Sequence, residues 1–184
     1  MDTTIVAVYA ICDDVLEDLH HHEDPQVTMT DAEIMTTGIV AALYFGGNYK
    51  NACDLLTEQG YIPTMLNQSR FSRRFHRIKG VFLQFFAMLG AHWQTLNEGA
   101  IYSIDTFPMP VCDNYRIPRA RLYRGEAYRG YMASKKQYYY GLKIHLMATE
   151  HGHPITFFLT PASCSDVRGL QYFDFDLPAG SKIA

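Results

Sequence analysis

The sequence predicts an α+β protein, with an all-α region over residues 1–98 and a β-rich, mixed α/β region over residues 99–184. Three observations carry this. Apolar residues recur at three- and four-residue steps, between capping residues, as far as Leu89. From Ala100 onward the chain is β-leaning and punctuated by proline. The charge also divides. Residues 1–60 hold eleven acids against Lys50 alone, net −10, whereas residues 70–143 hold thirteen Lys/Arg against Glu98, Asp105, Asp113 and Glu126, net +9. The overall charge of −3 conceals this segregation. Such a distribution suits a protein of which one part faces a polyanion and another does not. The plainer alternative is two oppositely charged surfaces packed on each other.

The totals exclude several classes. With 48% hydrophobic and 14% aromatic residues the chain can bury a core, so wholesale disorder is excluded. No run approaches the ~18 apolar residues of a membrane span. The N-terminus has no basic segment and carries acids directly after a short apolar run, unlike a secretory signal. Cys12, Cys53, Cys112 and Cys164 are widely spaced without a CxxC pair, which suits a reducing compartment and argues against a cysteine zinc site. The expectation is a cytoplasmic protein with no membrane partner.

The first helix is predicted over residues 3–22, with Ile5, Val8, Val15 and Leu19 near helical spacing. His20, His21 and His22 close it before Pro25; consecutive helical residues point to different sides, so the three cannot converge on one ion, and histidine near a helix C-terminus is favoured by the dipole alone. Thr30 with Glu33 forms a capping box for a second helix that runs to Gly46-Gly47. A third spans Asn48–Gln59 and ends at Gly60. Their acidic charge is wrong for phosphate contact, so they read as scaffold or oligomerisation surface.

The fourth helix is predicted from its N-cap Asn67 to Gly90. Phe71, Phe75, Ile78, Phe82, Phe85, Phe86 and Leu89 make its buried stripe. Arg70, Arg73, Arg74, Arg77 and, just beyond, Lys79 are expected to contact nucleic-acid phosphates, since no acid separates them. The bland alternative is a solvated charged face.

Gly90 and Gly99 bracket a connector, after which a short strand, Ala100 to Ile104, delivers Asp105 to its end. Pro108 and Pro110 forbid helix there and are expected to stop regular pairing. A basic loop follows, with Arg116, Arg119, Arg121, Arg124, Arg129, Lys135 and Lys136 interleaved with Tyr115, Tyr123, Tyr128 and Tyr131. Arginine with tyrosine suits phosphate gripping and base or sugar stacking. A hairpin is predicted next: a strand over Tyr138–Ala148, a turn at Glu150–His153, and a strand over Ile155–Thr160. His145, His151 and His153 are candidate ligands on paper, although turn histidines are more often simply exposed. Asp166 opens a helix with Ser163 or Ser165 as its cap. A carboxylate at a strand end, an arginine loop and a basic helix together point to phosphodiester chemistry on nucleic acid.

The residues IDTFPMPVCDNYRIPRARL, then GYMASKKQYYYGLKIHLMATEHGHPITFFLTPASCSDVRGL, resemble insertion-sequence transposases of the DDE type, and are most similar to the insertion-sequence family numbered nine-eight-two. The resemblance covers roughly residues 100–178. It implies an RNase H-like catalytic fold, of which this chain would hold the first three strands and the start of a helix. It further implies two Mg²⁺ ions held by two Asp and one Glu, double-stranded DNA (terminal repeats and target) as partner, and a homo-oligomer in the complete protein. Asp105 matches the first Asp, as catalytic residue and metal ligand. Asp166 matches a turn outside the triad, and Asp174 and Asp176 match no catalytic position. The second Asp and the Glu would follow Ala184, so the chain is expected to be truncated and inactive alone. The alternative is a non-catalytic DNA-binding or interfering remnant.

Overall fold

The computed structural model describes residues 2–171 and 176–183. Asp174 therefore lies outside the described residues. The chain divides into two compact units, Met1–Phe85 and Phe86–Ala184.

The first unit is helical. Helix α1 (Asp2–Asp18) stops two residues before the histidines, with His20 in the left-handed region at φ 49°. Helix α2 (Asp31–Phe45) starts on the expected capping box: Thr30 Oγ1 accepts from the Glu33 amide at 3.2 Å, and the Glu33 carboxylate accepts from the Thr30 amide at 2.7 Å. Gly46 closes it in a left-handed cap. Helix α3 (Tyr49–Glu58) is capped by Asn48, and α4 (Gln68–Arg77) by Asn67. The core is built from Ile34, Met35, Val40, Leu56 and Phe71, with Tyr49, Phe75 and Phe82 packed ring to ring around it.

The single fourth helix expected from Asn67 to Gly90 is two helices. The chain breaks at the buried Ile78 (φ −87°, ψ 12°), and α5 runs from Lys79 to Leu96. Helical phase survives the break, which is why periodicity did not reveal it. Gly90 ends nothing; it is buried inside α5, where a Cβ would stand 2.0 Å from the Ile155 carbonyl oxygen. Its lack of a side chain serves close approach of helix to strand, a role that mimics a stop signal in sequence. The connector shrinks to Asn97–Ala100.

The second unit is a sheet. Strand β1 (Ile101–Asp113) pairs antiparallel with β3 (Gln137–Thr149), which pairs antiparallel on its other side with β4 (Pro154–Pro161) and, further along, with the short β2 (Arg129–Met132). Two residues of β5 (Lys182–Ile183) lie parallel to the start of β1, opposite Ile101 and Tyr102. Helix α6 (Asp166–Leu170) follows β4, capped by Ser165.

Strand β1 does not stop at Asp105, as its prolines led us to expect, but pairs with β3 through Asp113. The reason is parity. The Ile101 carbonyl accepts from the Glu150 amide and the Ala100 carbonyl from the Lys182 amide, so odd residues turn their backbone toward β3 and even residues toward β5. Past Tyr102 the β5 side has no partner among the described residues. Pro108 and Pro110 are even, and their missing N–H groups cost no ladder bond.

The basic loop is also more ordered than expected. It contains short 3-10 turns at Asn114–Arg119, Glu126–Tyr128 and Ala133–Lys135, with β2 between the last two.

Candidate functional site

Alternation along β1 puts Ser103, Asp105 and Phe107 on one face, opposite Ala148, Leu146 and Ile144 of β3. On this face Asp105, Phe107 and Leu159 are exposed. Asp105 thus lies in mid-strand on an open surface, with one carboxylate oxygen accepting from the Thr106 amide at 2.7 Å.

The other face is covered and polar at its centre. His145, fully buried, sits opposite Thr106 in the register; its Nδ1 lies 2.9 Å from Thr106 Oγ1 and its Nε2 2.9 Å from Thr160 Oγ1. The ring stacks on Phe158 at 4.4 Å. Gly169 of α6 covers it so closely that a Cβ would fall 2.5 Å from the imidazole. Burial holds the His145 pKa below its ordinary value, with Asp166 opposing and Lys143 assisting. His145 is therefore a satisfied neutral histidine joining three strands, not a metal ligand. Neighbouring Lys143 donates to the Cys164 carbonyl at 2.8 Å and to Asp166 at 2.9 Å, which docks the start of α6. Sequence reasoning missed both tethers; once the pairing is known, the cross-strand register of Thr106 with His145 reveals the first.

Among the described residues no three His, Cys, Asp or Glu groups are disposed to hold a metal. His151 and His153 lie at the β3–β4 turn, and His153 stacks on Trp93 at 4.3 Å.

The predicted phosphate-binding residues fall in both units. On α4, Arg70, Arg73 and Arg77 are exposed, as is Lys79 at the start of α5, and none makes an ion pair among the described residues. Arg74 differs. Its guanidinium binds Glu23 at 2.9 Å and Asp31 at 2.5 Å, and Asp31 also meets His21 at 2.8 Å. Burial alone would raise the Asp31 pKa, but hydrogen bonds from Arg74 and His21 outweigh it and hold the carboxyl below its ordinary value. Arg74 thus acts as an internal tether for the acidic segment, a pairing of opposite charges realised at this one position. The same contacts account for His21.

In the second unit Arg116, Arg119, Arg121, Arg124, Arg129, Lys135 and Lys136 are all exposed. Several are held: Arg116 donates to the Tyr115 hydroxyl, Arg124 to the Ala120 carbonyl, and Arg129 pairs with Glu126 at 3.5 Å. Arg119, Arg121, Lys135 and Lys136 make no ion pair among the described residues.

An antiparallel β1–β3–β4 sheet, a further strand started parallel to β1 and an open carboxylate on β1 make the α+β arrangement that the sequence led us to expect. Residues 96–179 match the model of the family described as Transposase DDE domain. This stretch, somewhat less than half of the chain, is similar to that transposase family. No curated protein and no solved structure matches the chain. Among the described residues no helix is long and apolar enough to cross a membrane.

Proposed function

We propose that the chain is part of an insertion-sequence transposase, acting in the cytoplasm on double-stranded DNA, with Asp105 as the first carboxylate of its metal-dependent strand-cleavage and strand-transfer site. The observation that carries this reading is the position of Asp105: exposed on β1, beside the beginning of a parallel strand, in a stretch that matches the transposase DDE family.

Mg²⁺ prefers hard oxygen donors and keeps several waters. The donor set fits as one arm of such a site: Asp105 offers an exposed carboxylate that the Thr106 amide orients. When bound, the metal would supply charge stabilisation at the reacting phosphate and lower the pKa of a bound water. Asp105's own task is to hold it on a rigid strand. A complete site of this kind needs further carboxylates, and Asp105 is the one that this reading assigns.

Arg70, Arg73, Arg77 and Lys79 in the first unit, and Arg116, Arg119, Arg121, Arg124, Lys135 and Lys136 in the second, are the proposed contacts to DNA phosphates, whereas Arg129 is engaged by Glu126 and Tyr138. Arg74 is withdrawn from that set by its ion pairs. The insertion-sequence terminal repeats are the proposed specific substrate, and the complete protein is proposed to act as a homo-oligomer. A non-catalytic role in DNA binding or interference is the second reading, and the exposed bases on α4 and in the loop suit it equally.

The test compares this chain with an in-frame extended product on duplexes carrying the element's ends, with Mg²⁺. The 184-residue chain should bind with steep salt dependence and not cleave. The extended product should cleave, and its Asp105→Asn variant should bind normally without cleaving. Metal-dependent cleavage unaffected by Asp105→Asn would overturn the assignment.

A further inference from the structure

The start of β2 and the end of β4 meet the same edge of β3 on either side of Gly141, whose carbonyl accepts from the Ala162 amide. A groove of about 390 Å³ lies there, its walls including Arg129, Tyr131, Tyr138, Lys143, Ser163 and Ser165. Tyr131 and Tyr138 are direct cross-strand partners, with ring centroids 5.0 Å apart, and remain 54% and 49% exposed. The Arg129 guanidinium sits 4.5 Å from the Tyr138 ring centre and holds that ring in place.

The charges of this groove are already balanced. Arg129 pairs with Glu126, and Lys143 with Asp166. A phosphate entering here would compete with two carboxylates, so the groove differs from Arg119 and Arg121 of the preceding loop, which make no ion pair among the described residues. What it does offer is exposed aromatic surface, braced in advance so that little freedom is lost on binding. That surface fits a flat, uncharged ring. In a duplex both faces of each base are occupied by stacking; only an unstacked base can present one.

We propose that this groove binds one unstacked nucleobase of single-stranded DNA, stacked on the Tyr131–Tyr138 pair, while loop arginines hold the flanking phosphates. The inference rests on the reading of the chain as a DNA-acting protein. It adds a single-strand subsite to the Asp105 carboxylate and the phosphate contacts.

The experiment measures binding of the 184-residue chain to a short single-stranded oligonucleotide and to the duplex of the same sequence, at one salt concentration. Replacing both tyrosines by alanine should weaken single-strand binding about tenfold or more, the usual size of a lost base–aromatic stack, and leave duplex binding within about twofold. The double Tyr→Phe variant should bind both like the wild type. An equal loss on both substrates, or no loss on the single strand, would overturn the subsite. A second measurement needs no variant: 2-aminopurine in the single strand should lose fluorescence as the wild-type chain binds, and unchanged fluorescence on binding also refutes stacking. If neither DNA binds, the DNA-acting reading falls together with the subsite. If the duplex binds and the tyrosines prove indifferent, the subsite alone falls.

Discussion

His145 and Thr106 meet across β1 and β3, with Nδ1 2.9 Å from Oγ1, on the side of the sheet opposite Asp105. The same threonine gives its amide to the Asp105 carboxylate at 2.7 Å. The strand position of the exposed acid is thus secured from the buried face.

This contact makes stability depend on pH. Burial lowers the His145 pKa in the folded state, whereas the unfolded chain has the ordinary value of about 6.5. The unfolded state therefore binds a proton more readily between the two values. The contribution is complete above about pH 6.5 and is lost as pH falls through the folded pKa. Thermal unfolding should show Tm falling between neutral and mildly acidic pH, and His145→Gln should lower Tm at neutral pH and flatten that dependence. A slope unchanged by the substitution would assign it to other groups.

Arg73 and Arg74 are adjacent and should behave oppositely. Arg74→Ala leaves the buried Asp31 beside Glu23 with His21 as its remaining partner, and breaking a buried pair costs up to about 3–5 kcal/mol. Arg73→Ala should change stability by less than about 0.5 kcal/mol, as surface substitutions do. It should instead weaken DNA binding and reduce its salt slope by about one. Denaturant melts and salt titrations of the two variants separate a tether from a phosphate contact.

Two glycines of α5 make a second contrasting pair. Alanine in place of helical glycine normally stabilises by up to about 1 kcal/mol. Gly80→Ala meets nothing within 4 Å and should follow that rule. Gly90→Ala drives a Cβ to 2.0 Å from the Ile155 carbonyl, and overpacking of that kind costs about 1–3 kcal/mol. Tm should rise in the first variant and fall in the second; a rise in both would mean that the helix does not approach β4 so closely.

Cys12 is fully buried in the helical unit, and burial pushes its thiol up to about 11. At pH 8 it remains protonated, and only the thiolate is alkylated. Iodoacetamide should spare Cys12 in the native chain and modify it in urea, with mass spectrometry of the peptides as the readout. Rapid native labelling would contradict the packing of α1 against α2.

Much of the architecture is written locally. Thr30 with Glu33, Asn48, Asn67 and Gly46 mark helix ends because caps are satisfied by neighbours within four residues, and those signals match the observed starts of α2, α3 and α4 and the end of α2. The hairpin β3–β4 is equally legible, since its alternation and its Gly152 turn are contiguous in sequence. Asp105 stood out through the motif around it, whereas its exposure on β1 was not legible from that motif.

Other features needed partners that lie far away in the chain. Pro108 and Pro110 looked like a strand end because a missing N–H matters only if its side of the strand is paired, and sequence does not say which side that is. Gly90 looked like a helix stop because the Ile155 carbonyl that requires its bareness is 65 positions away. Arg74 looked like its basic neighbours because Glu23 and Asp31 reach it only through the fold. By itself the sequence determined the helix starts, the β3–β4 hairpin, the charge division and the likeness of the C-terminal stretch to a transposase family, all of which rest on contacts between near neighbours or on a contiguous motif. The tertiary structure alone decided which arginine is spent internally, which face of β1 is open and which histidine is buried. Those outcomes depend on strand pairing and on burial, and both are set by residues distant in sequence.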